Sequence, residues 1–232
     1  MKIFFVTLFV FISFIYGVAV GTYKIFPFQT IIYIKSLLIG DGVKAVDSEY
    51  YKNKVDFFNK YHRKDYDAVF VGDSLIDIAE WDDIFTGKNI ANRGISGDTT
   101  KGIFNRMSSI TNINSKKYLL MFGVNDIISG INVNISFENY KKIIYSISTK
   151  EKVTIFVVST ILTNNKKYNI EINHLNNLIS KYCYELNVKF IDVNKSLASD
   201  GVLLQKYTID GTHLNANGYA ILSEIINNDL FL

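Results

Sequence analysis

After Asp67 the sequence alternates between short apolar runs and longer amphipathic stretches, and that alternation is the tightest constraint on its fold. The runs Ala68–Val71, Tyr118–Phe122, Val153–Val158 and Val188–Ile191 have the length and β-branched content of buried strands, and a weaker run sits at Asn89–Ala91. Between them the 3.6-residue periodicity predicts helices over Thr99–Ile110, Phe137–Ser148, Ile170–Leu186 and Gly218–Ile226. Strands alternating with helices imply a mostly parallel sheet of five strands, with helices packed on both faces. No internal repeat, low-complexity tract or linker divides this region, so one α/β domain is expected over residues 65–232.

The first segment is of another kind. From Ile3 to Val20 there is no charged residue, and only Thr7, Ser13 and Tyr16 interrupt the apolar run. About 20 apolar residues cross a bilayer, whereas the apolar region of a cleaved signal usually runs to about 7–15. Residues 1–24 are therefore expected to be a transmembrane helix that anchors the chain, with a cleaved signal as the alternative. Gly17 and Ala19 offer a weak small-residue site for that cleavage. Lysines flank the segment on both sides (Lys2, then Lys24, Lys35 and Lys44), so charge asymmetry says little about orientation. An inside amino terminus is favoured, which places the domain outside the cytoplasm. Residues 25–64 read as juxtamembrane: an interfacial stretch at Gln29–Ile39, then an amphipathic helix over Asp47–Tyr61. Tyr51, Val55 and Phe58 form the apolar stripe of that helix, and Asp47 is its expected N-cap.

Composition narrows the chemistry. With 25 Lys+Arg against 22 Asp+Glu, the net charge of +3 and the lack of a basic run give no footprint for a nucleic acid. The single cysteine, Cys183, rules out an internal disulfide and reads as a buried, inert thiol. No cofactor or metal motif is present; the glycines between Gly94 and Lys101 lack the ending of a phosphate loop.

In a parallel sheet, functional groups collect where strands end and helices begin. Four polar blocks fall at such places: Gly72-Asp73-Ser74-Leu75, Asn92-Arg93-Gly94-Ile95-Ser96-Gly97-Asp98, Gly123-Val124-Asn125-Asp126, and Asp210-Gly211-Thr212-His213 before the last helix. Acyl transfer needs a nucleophile, a base, a group that orients the base, and donors for the developing oxyanion. Ser74 follows a strand end, His213 can act as base, and Asp210 is close enough in sequence to reach the imidazole across a tight turn. The N–H of Ser74, the N–H of Gly94 and the side-chain amide of Asn125 are the expected oxyanion donors, each worth roughly 2.7–4 kcal/mol of barrier.

In these blocks the chain resembles the SGNH (GDSL) hydrolases, over roughly Asp65 to Ile226. The wording after Gly94, Gly97-Asp98-Thr99-Thr100, is similar to that of the small bacterial acetylhydrolase and lysophospholipase-like members. The resemblance implies a three-layer α/β/α sandwich with a flavodoxin-like five-stranded parallel sheet. It also implies metal-free ester hydrolysis through Ser74, Asp210 and His213, with Gly94 and Asn125 in the oxyanion hole. The expected substrate is an O-acetyl or short acyl ester on an envelope glycan. The alternatives are a lysophospholipid or thioester acyl group, acyl transfer onto a glycan with the same triad, and a non-catalytic glycan-binding module. The G-x-S-x-G elbow of the α/β-hydrolases is absent, since Ile76 stands where its second glycine belongs.

Other residues read as structural. Asp73 and Asp126 are expected to cap and hold turns, His62 and His174 to sit at the surface, and Trp81 either to line a substrate pocket or to pack.

Overall fold

A computed structural model describes residues 2–23, 48–61, 63 and 65–231. Residues 1–42 and 43–232 form two separate units. In the first, helix α1 runs over Lys2–Tyr23 and exposes Phe9, Phe11, Ile12 and Phe14. Among the described residues, however, no helix is long and apolar enough to cross a membrane. The transmembrane helix expected at residues 1–24 is thus not supported. The interfacial stretch expected at 29–39 lies outside the described residues.

The second unit opens with α2, Glu49–Lys60, capped by Ser48, whose hydroxyl accepts from Tyr51 N at 3.1 Å. The expected cap, Asp47, lies outside the described residues. The chain continues through β1 (Ala68–Gly72), α3 (Ser74–Asp77), α4 (Trp81–Ile84), β2 (Ile90–Gly94), α5 (Thr100–Asn105) and α6 (Ser108–Thr111). Then come β3 (Lys117–Met121), α7 (Val124–Ile128), α8 (Val133–Ser148), β4 (Thr154–Val158), α9 (Lys166–Glu185), β5 (Lys189–Ile191) and α10 (Asn194–Leu197). A hairpin of two short strands (residues 198–199 and 202–203) precedes the final helix α11, Ala216–Leu230.

The five strands pair in parallel in the order β2-β1-β3-β4-β5, the doubly wound order of the flavodoxin type. Residue alternation explains why both faces must be covered. Val69, Val71, Tyr118, Leu120, Ile155 and Val157 point into one apolar cluster, shared with α5, α8 and α9. Their neighbours Ala68, Phe70, Leu119, Met121, Phe156 and Val158 point into the other, with α3, α4 and α11. The central strands β1, β3 and β4 are apolar on both sides, which is what their hydrophobic runs required. The expected three-layer sandwich and five-stranded sheet are the observed architecture.

The long helix expected over residues 99–110 is broken into α5 and α6. Arg106 stands at the break, with φ −107 and ψ 23. Its guanidinium turns inward to Asp98 and to the carbonyls of Gly72 and Arg93. These tertiary partners override the helical periodicity. Trp81 packs rather than lining a pocket: it is buried against Phe70, Phe85 and Tyr219, and its Nε1 donates to Ile76 O at 2.9 Å.

Candidate active site

Strand β1 is flanked by β2 and β3, so connections leave in opposite directions beside it and open a crevice at its carboxyl end. Ser74 stands there, the first residue of α3. Asp73 caps that helix by accepting from Leu75 N at 3.1 Å, as expected of it. The cap fixes the turn, leaving the Ser74 N–H at the helix start without a helical acceptor.

The base arrives from the other end of the chain. Ser74 Oγ lies 3.0 Å from His213 Nε2, and His213 Nδ1 lies 2.7 Å from Asp210 Oδ2. Asp210 Oδ1 accepts the backbone N–H groups of Thr212 and His213 at 2.9 and 2.8 Å. Partial burial would raise the Asp210 acid, but those two N–H bonds and the imidazole outweigh it and hold the group at about 2. It is a carboxylate at any working pH, fit to fix the tautomer with Nε2 free to accept the serine proton. The turn is braced by Thr208, whose Oγ1 donates to His213 O at 2.7 Å and accepts from Gly211 N at 2.9 Å. The structure thus brings Ser74, His213 and Asp210 together as the sequence predicted.

The oxyanion donors need one correction. Gly94 N–H is already donated to Asn92 Oδ1 at 2.9 Å. Glycine is required at this position because β2 runs against α3, where a Cβ would come within 2.2 Å of Asp77 N. Gly94 is a packing residue. Along the loop after it, Ile95 N donates to Gly72 O, Ser96 N to Asp77 Oδ2, Asp98 N to Ile95 O, Thr99 N to Asp98 Oδ1 and Thr100 N to Asp126 Oδ2. Among the described residues only the Gly97 N–H of this stretch has no acceptor. Gly97 is exposed and sits at φ +79, a conformation that suits glycine. Asn125, in the first turn of α7, gives one amide hydrogen to Asp98 O at 2.9 Å, which seats it beside Gly97 and leaves its second hydrogen unspent.

Sequence reasoning passed over Gly97 although it stood in the same block. The usable signal was a glycine between two residues, Ser96 and Asp98, whose short polar side chains hold loops.

Beneath the crevice lie three carboxyl groups with no solvent exposure: Asp73, Asp98 and Asp126. Asp98 is paired with Arg106 Nε at 2.8 Å. Asp126 holds Thr100 and Ser136 by three bonds of 2.6–2.9 Å, the turn-holding role expected of it. Burial pushes the Asp73 acid up to about 7, aided by its two acidic neighbours and opposed by Leu75 N–H and His213. Among the described residues no group of three or more His, Cys, Asp or Glu could hold a metal ion. Cys183 is buried, and burial raises its thiol to about 12. His174 is exposed on α9; His62 lies outside the described residues.

A nucleophile, base and acid joined in a chain at the carboxyl edge of a doubly wound sheet are the parts of a serine hydrolase. Residues 70–221 match the GDSL-like lipase/acylhydrolase family, so the chain belongs to that family. It is similar to N-acylneuraminate cytidylyltransferase of Streptococcus agalactiae, 25% identical over 177 residues, covering 74% of this chain and 41% of that protein. The chain therefore spans less than half the length of those relatives. It is also similar to human (Homo sapiens) platelet-activating factor acetylhydrolase IB subunit alpha2, 27% identical over 171 residues, covering 68% of this chain and 72% of that one. Among solved structures, a GDSL-like lipase from Bacteroides thetaiotaomicron shares the fold. Its TM-score is 0.70 at 20% identity, covering 80% of this chain and 98% of that chain.

Proposed function

We propose that the protein is a serine esterase that removes an O-acetyl or other short acyl group from an envelope glycan through an acyl-enzyme on Ser74. The observation that carries the reading is the unbroken chain of hydrogen bonds from Ser74 through His213 to Asp210, at 3.0 and 2.7 Å. Ser74 Oγ attacks the ester carbonyl while His213 Nε2 takes its proton. The oxyanion is met by the N–H groups of Ser74 and Gly97 and by the second amide hydrogen of Asn125. His213 then gives the proton to the leaving sugar alcohol, and the acyl group remains on Ser74. Water, deprotonated by His213, attacks that ester and releases the carboxylic acid and the free serine.

Hydrolysis is preferred to acyl transfer because the base is open to water: the side chains of His213 and Asp210 are 35% and 51% exposed. A small acyl group on a sugar is preferred on two grounds. One relative is by name an acetylhydrolase, which favours a small acyl group, and another is by name an N-acylneuraminate cytidylyltransferase, which favours a sugar. The proposed site of action is outside the cytoplasm, with residues 1–24 holding the chain at a membrane. The uncharged run from Ile3 to Val20 and the exposed apolar side chains of α1 support that location.

The test is hydrolysis of p-nitrophenyl esters, acetate through palmitate, by the full-length chain in mild detergent. Activity should be greatest on the shortest acyl groups, and Ser74→Ala should lower kcat by about a millionfold with the fold intact. Preference for palmitate would replace the glycan ester with a lipid one. A Ser74→Ala variant retaining a tenth of wild-type turnover would remove Ser74 from its role. For location, the full-length chain should stay in the membrane pellet through alkaline carbonate, and protease added to spheroplasts should digest the domain. Release by carbonate, or survival until lysis, would contradict that location.

A further inference from the structure

Helix α2 precedes the region that matches the family, yet it reaches the crevice through one buried carboxylate. Asp77, the last residue of the short helix that begins with Ser74, has a side chain only 3% exposed. Its Oδ1 accepts Lys54 Nζ at 2.6 Å, and its Oδ2 accepts the hydroxyl of Tyr50. The same Oδ2 accepts Ser96 N at 2.9 Å and Ser96 Oγ at 2.7 Å. Burial would raise this acid, but the bonds from Lys54, Tyr50 and Ser96 hold it below the ordinary carboxylate value. Three of these donors fall on Oδ2 and one on Oδ1, and with its side chain only 3% exposed Asp77 is committed to Lys54, Tyr50 and Ser96 rather than open to substrate.

What those bonds fix is the loop carrying the free N–H. Gly97 has no side chain to hold itself, so its orientation depends on its neighbours. On the far side Asp98 is clamped by Arg106, Thr99 N and Asn125. On the near side, the Gly97 N–H belongs to the same rigid peptide plane as the Ser96 carbonyl, and Ser96 is held by Asp77. We infer that α2 is a working part of the catalytic centre, in which Tyr50 and Lys54 hold Asp77 so that Asp77, through Ser96, aims the Gly97 N–H at the oxyanion. Tyr50, Lys54, Asp77 and Ser96 are positioning residues, not catalytic ones. The inference rests on the reading of Gly97 as an oxyanion donor of a Ser74 esterase.

An internal control is built into α2. Tyr51 also ties this helix to the domain, through its hydroxyl to Gly102 O at 2.7 Å, but it does not touch Asp77. Loss of that bond loosens the helix without releasing Ser96.

The experiment compares full-length wild type, Asp77→Asn, Tyr50→Phe, Tyr51→Phe and Ser74→Ala in two assays. One is steady-state hydrolysis of p-nitrophenyl acetate. The other is the rate at which diethyl p-nitrophenyl phosphate phosphorylates the nucleophile, read as a burst of p-nitrophenol. Asp77→Asn should lower both kcat and the phosphorylation rate by about tenfold to a hundredfold, the scale of a displaced preorganised donor, with KM within about twofold. Tyr50→Phe should lower both by a smaller factor, and Tyr51→Phe should lower thermal stability alone. Wild-type kcat and burst rate in folded Asp77→Asn and Tyr50→Phe would overturn the inference. So would a fall in kcat for Tyr51→Phe equal to that for Tyr50→Phe, since generic docking would then explain both. If Asp77→Asn does not fold, Tyr50→Phe against Tyr51→Phe decides alone. A wild-type chain that shows no burst, or a Ser74→Ala chain that shows one, would instead sink the underlying esterase reading, and this inference with it.

Discussion

The two halves of the candidate active site are held in opposite ways. The base half is local and open: Asp210 and His213 lie three residues apart, on an exposed turn, and the acid binds its own neighbours' N–H groups. The nucleophile half is buried and distant in sequence. Its loop is fixed by Asp77 to Ser96, Asn125 to Asp98 and Thr100 to Asp126, pairs 19, 27 and 26 residues apart. The base must reorient, meet water and exchange protons, so an open turn suits it. The oxyanion donors must not move as charge develops, and a cross-braced loop gives that preorganisation.

Among the groups that support Ser74 rather than attack, loss of the acid of the local half should cost most. Asp210→Asn keeps the shape of the turn but removes the charge that steadies the imidazolium and selects its tautomer. Its kcat on p-nitrophenyl acetate should fall by about ten-thousandfold, as when the acid of a serine triad is neutralised. A fall of less than tenfold would mean that another group orients His213.

The distant half should show a smaller and more selective loss. Asn125→Ala should lower kcat by about a hundred- to a thousandfold with little change in KM, because its free amide hydrogen acts in the transition state. Steady-state kinetics separates the alternatives. If KM rose while kcat held, Asn125 would be binding the ground state instead.

The same contrast explains what could be read from the sequence. The sheet was legible because its central strands are short runs of apolar residues, such as Ala68–Gly72, while β2, which carries Asn92 and Arg93, left only a weaker run. The triad was legible because strand-end position marked Ser74, and Asp210 and His213 share one short turn. The third oxyanion donor was not. Choosing Gly97 over Gly94 requires knowing that Asn92 occupies the Gly94 N–H and that β2 abuts Asp77. Both facts are tertiary. The break between α5 and α6 was hidden for the same reason, since Arg106 is drawn to partners on two strand ends and to Asp98.

The smallest expected effect is on stability, and it isolates the buried half. The Asp73 acid sits at about 7 in the folded chain through burial, above the ordinary value near 3.9 in the unfolded chain. Between those two values the native state holds a proton that the unfolded state releases, so this group's contribution to stability falls as pH rises through that window. Asp73→Asn removes the titration and still caps α3. Relative to wild type, it should gain stability from pH 4 to pH 8, by at most about 4 kcal/mol, in paired urea titrations. A difference that does not change with pH would show that Asp73 does not titrate in this window.

The most direct measurement is the mass of the nucleophile itself. Full-length protein treated with diethyl p-nitrophenyl phosphate should carry one diethylphosphoryl group, on the peptide that holds Ser74, with one p-nitrophenol released per chain. The Ser74→Ala variant should carry none. An adduct on another residue, or one that persists in Ser74→Ala, would contradict a catalytic centre built on Ser74, His213 and Asp210.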